Sequence, residues 1–449
     1  MPLYDMATDD DVLSATSDTK FTRHTRRQIG LRLLPFLFVL YIVNYIDRTN
    51  LSFAVLGMSR DLGFNDRVFG LGVGMFFVGY VAMQIPGALL VERWSARKMI
   101  AICMVSWGVL TVATALVRTP VQLYAARFVI GAAEAAFFPG VLLYLSHWFV
   151  REDRAKAASN FMAAIPLSAV LGAPFAGWIL SHKWMNLEGW RWLFVMEGLP
   201  AVVLGVATFF FLTDRPNDAS WLSSEQRQWV SAKLAHEKKS AVQALSLFET
   251  IRSRTVVMMV LACFFSYFSY YAFIFYFPSM LKAQSGLSDA RIGLLGMLPF
   301  AVTFVAMQIN AWHSDRSGER LWHATVPELI GAVGLLLLAT SPSSTVVTVG
   351  LYAMVASATA FLPVFWAIPG ERLSGSAAAT ATGLINGFGS IAGIAGPYVF
   401  GYLKSTTGTY TAGLLMLTDS TLLAAVLIVT NRKPETRGDQ VLAAAAEMS

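Results

Sequence analysis

Two pairs of ionisable residues stand inside long apolar runs of this 449-residue chain: Asp47 and Arg48 in one run, Arg127 and Glu134 in another. Charged side chains in hydrocarbon are costly, and where they occur they mark a pathway for ions or polar solutes. Arg127 and Glu134 are seven residues apart. On a helix that is two turns, so both project from one face. At ~1.5 Å per residue, Arg127 lies ~10 Å and Glu134 ~20 Å below the outer end of their run, and Asp47 falls at about the depth of Arg127. Two acids and two bases can then share one cavity with no net charge. Protonating Asp47 or Glu134 removes a negative charge and frees Arg48 or Arg127 for an incoming carboxylate, which a guanidinium binds bidentately without losing its own proton. Burial raises a carboxylate's affinity for protons enough to make such a step feasible near neutrality. The same residues could instead be interhelical bridges that hold an inner cavity shut, and the two roles are compatible.

The elements that must position these groups are membrane helices. Of the residues 55% are hydrophobic and 14% charged, about half the charge of a soluble domain. A spanning helix needs ~20 apolar residues. Twelve runs qualify: 29–56, 68–91, 98–117, 120–149, 157–181, 192–213, 253–281, 289–312, 322–341, 344–370, 376–404 and 409–431. The chain therefore reads as an all-α membrane protein with a tail (1–28), a six-helix half (29–213), a polar central loop (214–252), a second six-helix half (253–431) and a second tail (432–449). In the central loop, Ser223 or Ser224 can cap a short amphipathic helix. Of the 34 Lys and Arg residues, 24 fall on the side of the tails and central loop and 8 on the other. This bias makes both termini cytoplasmic. A net charge of +6 without a basic face excludes nucleic acid as a partner. Cys103 and Cys263 sit in apolar runs and read as small filler. No HExxH, Ser/His/Asp set or metal-spaced histidine pair is visible, so neither an enzyme nor a metal site is expected.

The two halves repeat. Glu92, after the second run, and Asp315, after the eighth, stand 223 residues apart, and A-A-F-F-P (135–139) matches T-A-F-L-P (359–363) at an offset of 224. G-A-P-F-A-G (172–177) echoes A-G-P-Y-V-F-G (395–401) at nearly the same spacing. Such repeats indicate two parallel halves around an axis along the membrane normal. The Gly-rich segment 70–80 reads as close helix packing through small residues.

The segments Gly87…Glu92-Arg93…Arg97-Lys98 and Asp315-Arg316-Ser317-Gly318-Glu319-Arg320 resemble the paired signatures of the major facilitator superfamily. Ser95 and Asn310 replace glycines common there. N-Y-I-D-R-T-N-L-S (44–52), A-R-F-V-I-G-A-A-E-A-A-F-F-P-G (126–140), G-W-R-W-L-F-V-M-E-G-L-P (189–200) and H-S-D-R-S-G-E-R-L-W-H (313–323) are similar to the anion:cation symporter family within it, and the last motif to its bacterial tartrate-transporter-like branch. The resemblance implies two pseudo-symmetric six-helix halves. It also implies proton coupling at Asp47 and Glu134, anion binding at Arg48 and Arg127, and substrate contacts from Trp366 and Asn386, twenty residues apart in the second half. Tyr45 and Tyr80 are candidate hydroxyl contacts or packing residues, and Tyr271, in the aromatic run 267–278, is a weaker candidate of the same kind. Glu92, Arg93, Arg97, Asp315, Arg316 and Arg320 read as gating residues that tie helices together on the cytoplasmic face when the cavity opens outward. Asn44 satisfies backbone and Glu197 makes a structural hydrogen bond in this reading, while Asp419 has no assigned role. The expected activity is proton-coupled uptake of a small organic anion (tartrate, a sugar acid or an aromatic acid) by alternating access in a bacterial inner membrane. It needs no cofactor beyond the coupling proton and works as a monomer. The alternatives are an organic-anion exchanger or a sodium-coupled anion or phosphate transporter.

Overall fold

The computed structural model describes residues 19–239, 253–341, 344–372 and 375–431. The expected tail 432–449, most of the tail 1–28 and residues 240–252 of the expected central loop lie outside these residues. The described chain is helical, with one isolated β-bridge between Trp184 and Leu187.

Among the described residues, ten helices are long and apolar enough to cross a bilayer. The crossings are, in order, Thr19–Leu62, Asp66–Arg93, Ala96–Thr114, Pro120–Glu134 with Phe137–Trp148, Arg151–Met162 with Ala164–Leu180, and Gly189–Phe211; then Arg254–Ser285, Asp289–Ser317, Leu321–Thr340, Thr345–Ser357 with Leu362–Arg372, Gly375–Thr407 and Thr411–Thr430. These are spans one to twelve below. Each of the three broken spans carries a proline just after its break. A proline lacks its N–H and its ring collides with the carbonyl four residues earlier. Pro139 acts on Ala135, Pro166 on Met162 and Pro363 on Thr359, and the helices break at 135–136, at Ala163 and in the 3₁₀ turn Ala358–Phe361. The repeated motifs 135–139 and 359–363 thus kink the fourth and tenth spans alike.

The pairing of spans repeats as well. In the first half the third packs on the sixth and the second on the fourth; in the second half the ninth packs on the twelfth and the eighth on the tenth. The halves meet where the second span packs on the eleventh and the fifth on the eighth. These contacts are tight at the end opposite Thr19 and Thr430, the outer end in the expected orientation. A β-carbon on Gly177 of the fifth span would lie 2.7 Å from the Asp289 carbonyl of the eighth, so only glycine allows this approach. Tyr276 of the seventh span donates its hydroxyl to the Asp66 carbonyl of the second at 2.8 Å. Arg60, at the outer end of the first span, meets Asp289 at 2.5 Å, and Lys282 holds the other oxygen of that carboxylate at 2.8 Å.

The first helix begins at Thr19, ten residues before the apolar run, because its polar start has a partner. Gln28 donates to the Trp221 carbonyl and accepts from Gln226, both at 3.0 Å. Gln226 belongs to the helix Ser224–Lys239 between the halves. Ser223 caps that helix as its sequence predicts: its hydroxyl accepts from the Gln226 N–H at 3.2 Å while Gln226 Oε1 accepts from the Ser223 N–H at 2.9 Å.

Candidate functional site

Glu134 is the last residue of the helix Pro120–Glu134, placed at the break that Pro139 imposes. Its carboxylate turns towards the first span. Glu134 Oε1 accepts from Arg48 Nε at 2.8 Å and also from Arg48 Nη2. The pair is buried: Glu134 is 0% exposed and Arg48 8%. Rings wall the Arg48 guanidinium, with Tyr45 at 5.2 Å, Tyr80 at 5.1 Å and Phe76 at 5.5 Å from its carbon to each centroid. Phe76 also lies 5.0 Å from the Arg127 guanidinium, so one ring serves both arginines. Cation–π contacts of this kind gain strength when water is excluded. Arg127 Nη2 donates to the Arg48 carbonyl at 3.3 Å, while Arg127 Nε and Glu134 Oε2 are buried without a protein partner.

Asp47 makes no hydrogen bond to this group, although its charge acts on those of Arg127 and Glu134. Neighbouring residues on a helix point about 100° apart, and Asp47 faces into the first half's interior. Its Oδ2 accepts from Thr111 of the third span at 2.9 Å and its Oδ1 from Asn50 at 2.9 Å. The four charged residues thus lie near one another, with Arg48 paired to Glu134, Arg127 beside that pair, and Asp47 hydrogen-bonded to neutral donors while its charge acts on Arg127 and Glu134. Glu197 of the sixth span and Asn50 line a further cavity of ≈ 20 Å³. Glu197 shares a side-chain hydrogen bond with Asn50, as expected of it, and its Oε2 is buried and unpartnered; the expectation that Asn44 satisfies backbone is corrected, since both its polar side-chain atoms are buried without a partner.

In the second half, Tyr271 is buried and its ring stands 4.5 Å from Phe77 of the second span. Trp366 is half-buried against Phe365, with its indole N–H unpartnered. Asn386 is half-buried, and its side-chain amide has no protein partner among the described residues. Tyr271 therefore reaches the first half directly, while Trp366 and Asn386 present free polar atoms from the tenth and eleventh spans.

The signature residues pair inside their own halves. Asp214 lies 3.5 Å from Arg97 Nε and accepts from Ser95 Oγ at 2.7 Å, which gives the serine in place of glycine a use. Arg320 bridges Asp315 at 2.6 Å and Glu371 at 2.8 Å, and Arg316 stacks 5.7 Å from Trp312. Arg93 is exposed at the end of the second span; the side chain of Glu92 lies outside the described residues. Among the described residues no ion pair joins the halves at this end. Asp419 lies on the exposed face of the twelfth span. Both cysteines are buried and free.

Sequence reasoning missed Phe76, Thr111 and Asn50, which hold the charged residues in place, and it missed Glu328, buried in the ninth span. Glu328 had a readable signal, an acid within an apolar run. Phe76 sits in the Gly-rich segment, four residues before Tyr80, the helical spacing that puts both rings on one face.

Residues 37–397 match the family model described as Major Facilitator Superfamily. A "Putative tartrate transporter" of Agrobacterium vitis is 39% identical over 84% of this chain and 87% of its own. A quinolone resistance transporter of Acinetobacter baumannii is 35% identical over 85% of this chain and 89% of its own. The crystal structure of a D-xylose-proton symporter superposes with a TM-score of 0.73 at 16% identity, covering 91% of this chain and 99% of that one.

Proposed function

Because this chain belongs to the major facilitator superfamily, a family of membrane transporters and not of enzymes, we propose that it is a secondary transporter of the anion:cation symporter type. It carries a small organic anion, a hydroxycarboxylate such as tartrate in the first instance, into the cell together with protons. The similarity to the Agrobacterium vitis relative supports the substrate class.

The observation that carries this reading is the buried Arg48–Glu134 pair with Arg127 across the shared Phe76 ring. While Glu134 is ionised, it occupies Arg48. Once Glu134 takes a proton, the pair loses its attraction and the Arg48 fork is available to a substrate carboxylate, with Arg127 adding the second positive charge. Tyr45, Tyr80 and Tyr271 complete the wall, and Trp366 and Asn386 contact the rest of the anion from the second half. Asp47 is the second coupling carboxylate, and Thr111 and Asn50 set its environment. Rocking of the halves then exposes a midplane site to each side in turn. The signature residues Arg93, Arg97, Asp315, Arg316 and Arg320, with Glu92, re-pair across the halves when the inner side closes. Proton entry also draws on the membrane potential, at ~2.3 kcal/mol per charge per 100 mV. The protein lies in a bacterial inner membrane with both termini cytoplasmic, and it works as a monomer without a cofactor.

The test is a thermal-shift screen of purified protein against small carboxylates, followed by uptake of each hit into liposomes under an imposed pH gradient. Uptake that follows an inwardly directed proton gradient supports symport. Similarity to the quinolone resistance transporter favours a second reading, proton-driven export, which the same assay recognises by uptake that follows the opposite gradient.

A further inference from the structure

The second half encloses a carboxylate that the transport reading does not use. Glu328 lies in the ninth-span helix Leu321–Thr340 and is 1% exposed. Its Oε1 accepts a hydrogen bond from Ser266 Oγ of the seventh span at 2.6 Å. No Lys, Arg or His pairs with it among the described residues. The groups that face it are neutral: Cys263, Tyr267 and Tyr270 on the seventh span, Thr359 at the break of the tenth and Thr421 on the twelfth. The single acid of the twelfth span, Asp419, is on that helix's exposed face. An ionised carboxylate here would meet the full cost of leaving water with one hydroxyl donor to offset it and no cation.

Glu328 is buried but not isolated. It lines a cavity of ≈ 20 Å³, enough for about one water molecule. Tyr270, Thr359 and Leu362 line this cavity and also the gap between the halves that Tyr45 and Thr49 face. Tyr45 in turn stands against Arg48. One layer of side chains, with Tyr270 and Thr359 in it, thus separates Glu328 from the gap that Tyr45 faces.

We propose that Glu328 is a further proton-binding site, carried by the second half, which exchanges its proton past Tyr270 and Thr359 when water enters the gap between the halves. The step is a simple transfer: a hydronium ion gives one proton to a carboxylate oxygen of Glu328 and becomes water, and release reverses it with no other bond made or broken. Each half then carries an acid of its own, Glu134 beside the substrate arginine in the first and Glu328 behind the tyrosine wall in the second. Its place in the transport cycle rests on the symport reading above; its capacity to bind and exchange a proton does not.

The experiment uses infrared difference spectroscopy on the purified full chain in lipid nanodiscs, through pH titration and exchange into D₂O. The wild type is expected to show a protonated-carboxyl band that shifts in D₂O and disappears at alkaline pH, lost in Glu328→Gln and retained in Glu134→Gln. Ser266→Ala, which leaves the carboxylate in place, is expected to move the band to higher frequency by removing its hydrogen bond; this arm decides the matter if Glu328→Gln fails to fold. A band that Glu328→Gln leaves intact and Ser266→Ala leaves unmoved, or one that neither titrates nor exchanges, overturns the proposal. In proteoliposomes supplied with tartrate, Glu328→Gln is expected to move one proton fewer per tartrate than the wild type. If the wild type moves no protons with tartrate while the band still titrates, the symport reading fails and the proton site stands.

Discussion

Arg48 and Glu134 join the first span to the fourth through an Nε–Oε1 hydrogen bond of 2.8 Å at a place where both side chains are buried. Removing one partner of such a pair leaves a buried, uncompensated charge, which costs about 3–5 kcal/mol. Arg48→Ala is therefore expected to abolish uptake and to lower the melting temperature of the purified protein. The double variant Arg48→Ala/Glu134→Ala is expected to recover much of that stability without recovering transport. Differential scanning fluorimetry beside uptake separates the two effects.

The Arg60–Asp289 contact links the halves at the outer end. Arg60 is largely exposed, so the pair is worth at most about 1 kcal/mol, a roughly fivefold shift in the population of closed outer ends. Asp289→Asn is expected to widen the distance distribution between spin labels on the outer ends of the fifth and eighth spans. An unchanged distribution would show that the Gly177 approach and the Tyr276–Asp66 hydrogen bond set the closure without it.

Thr111 donates to Asp47 from a different helix. Thr111→Val keeps the shape and removes the hydroxyl, which should destabilise the protein by about 1–3 kcal/mol through an under-satisfied buried carboxylate. Thr111→Ser should behave as the wild type in thermal unfolding. If the valine variant were equally stable, Asp47 would have to draw its support from Asn50 alone.

Glu319, in the loop between the eighth and ninth spans, is held below the usual glutamate range. Partial burial works the other way, but the Trp322 N–H at 2.8 Å, the His323 side chain at 2.8 Å and the His323 N–H outweigh it. A depressed carboxylate stabilises the fold above its ordinary titration range and loses that contribution as pH falls through its folded value. The protection of the Trp322 and His323 amides against hydrogen exchange, relative to their intrinsic rates, should thus be high at neutral pH and fall in acid. In Glu319→Gln the amides should be less protected at neutral pH and lack this acid-dependent loss.

Much of the architecture is legible from sequence because membrane helices are written in long apolar runs, and because the repeated proline motifs at 135–139 and 359–363 break the same helix in each half. Arg48, Arg127 and Glu134 are legible for a related reason: charge inside such a run stands out. The direction in which Asp47 points is not, since adjacent positions on one helix diverge and only packing against Thr111 decides which faces the cavity. Phe76 is hidden among glycines whose packing role is the obvious one, and its part as the ring shared by two arginines exists only in three dimensions. Glu328 meets the same criterion as Glu134, but no arginine two turns away marks it as part of a set.

The central claim, that Glu134 couples proton movement to the freeing of Arg48, is tested most directly in liposomes by comparing tartrate accumulation under an inwardly directed proton gradient with tartrate–tartrate exchange at equal pH, for the wild type and Glu134→Gln. The account predicts that Glu134→Gln still exchanges tartrate but no longer accumulates it above the external concentration. Full gradient-driven accumulation by Glu134→Gln would contradict it.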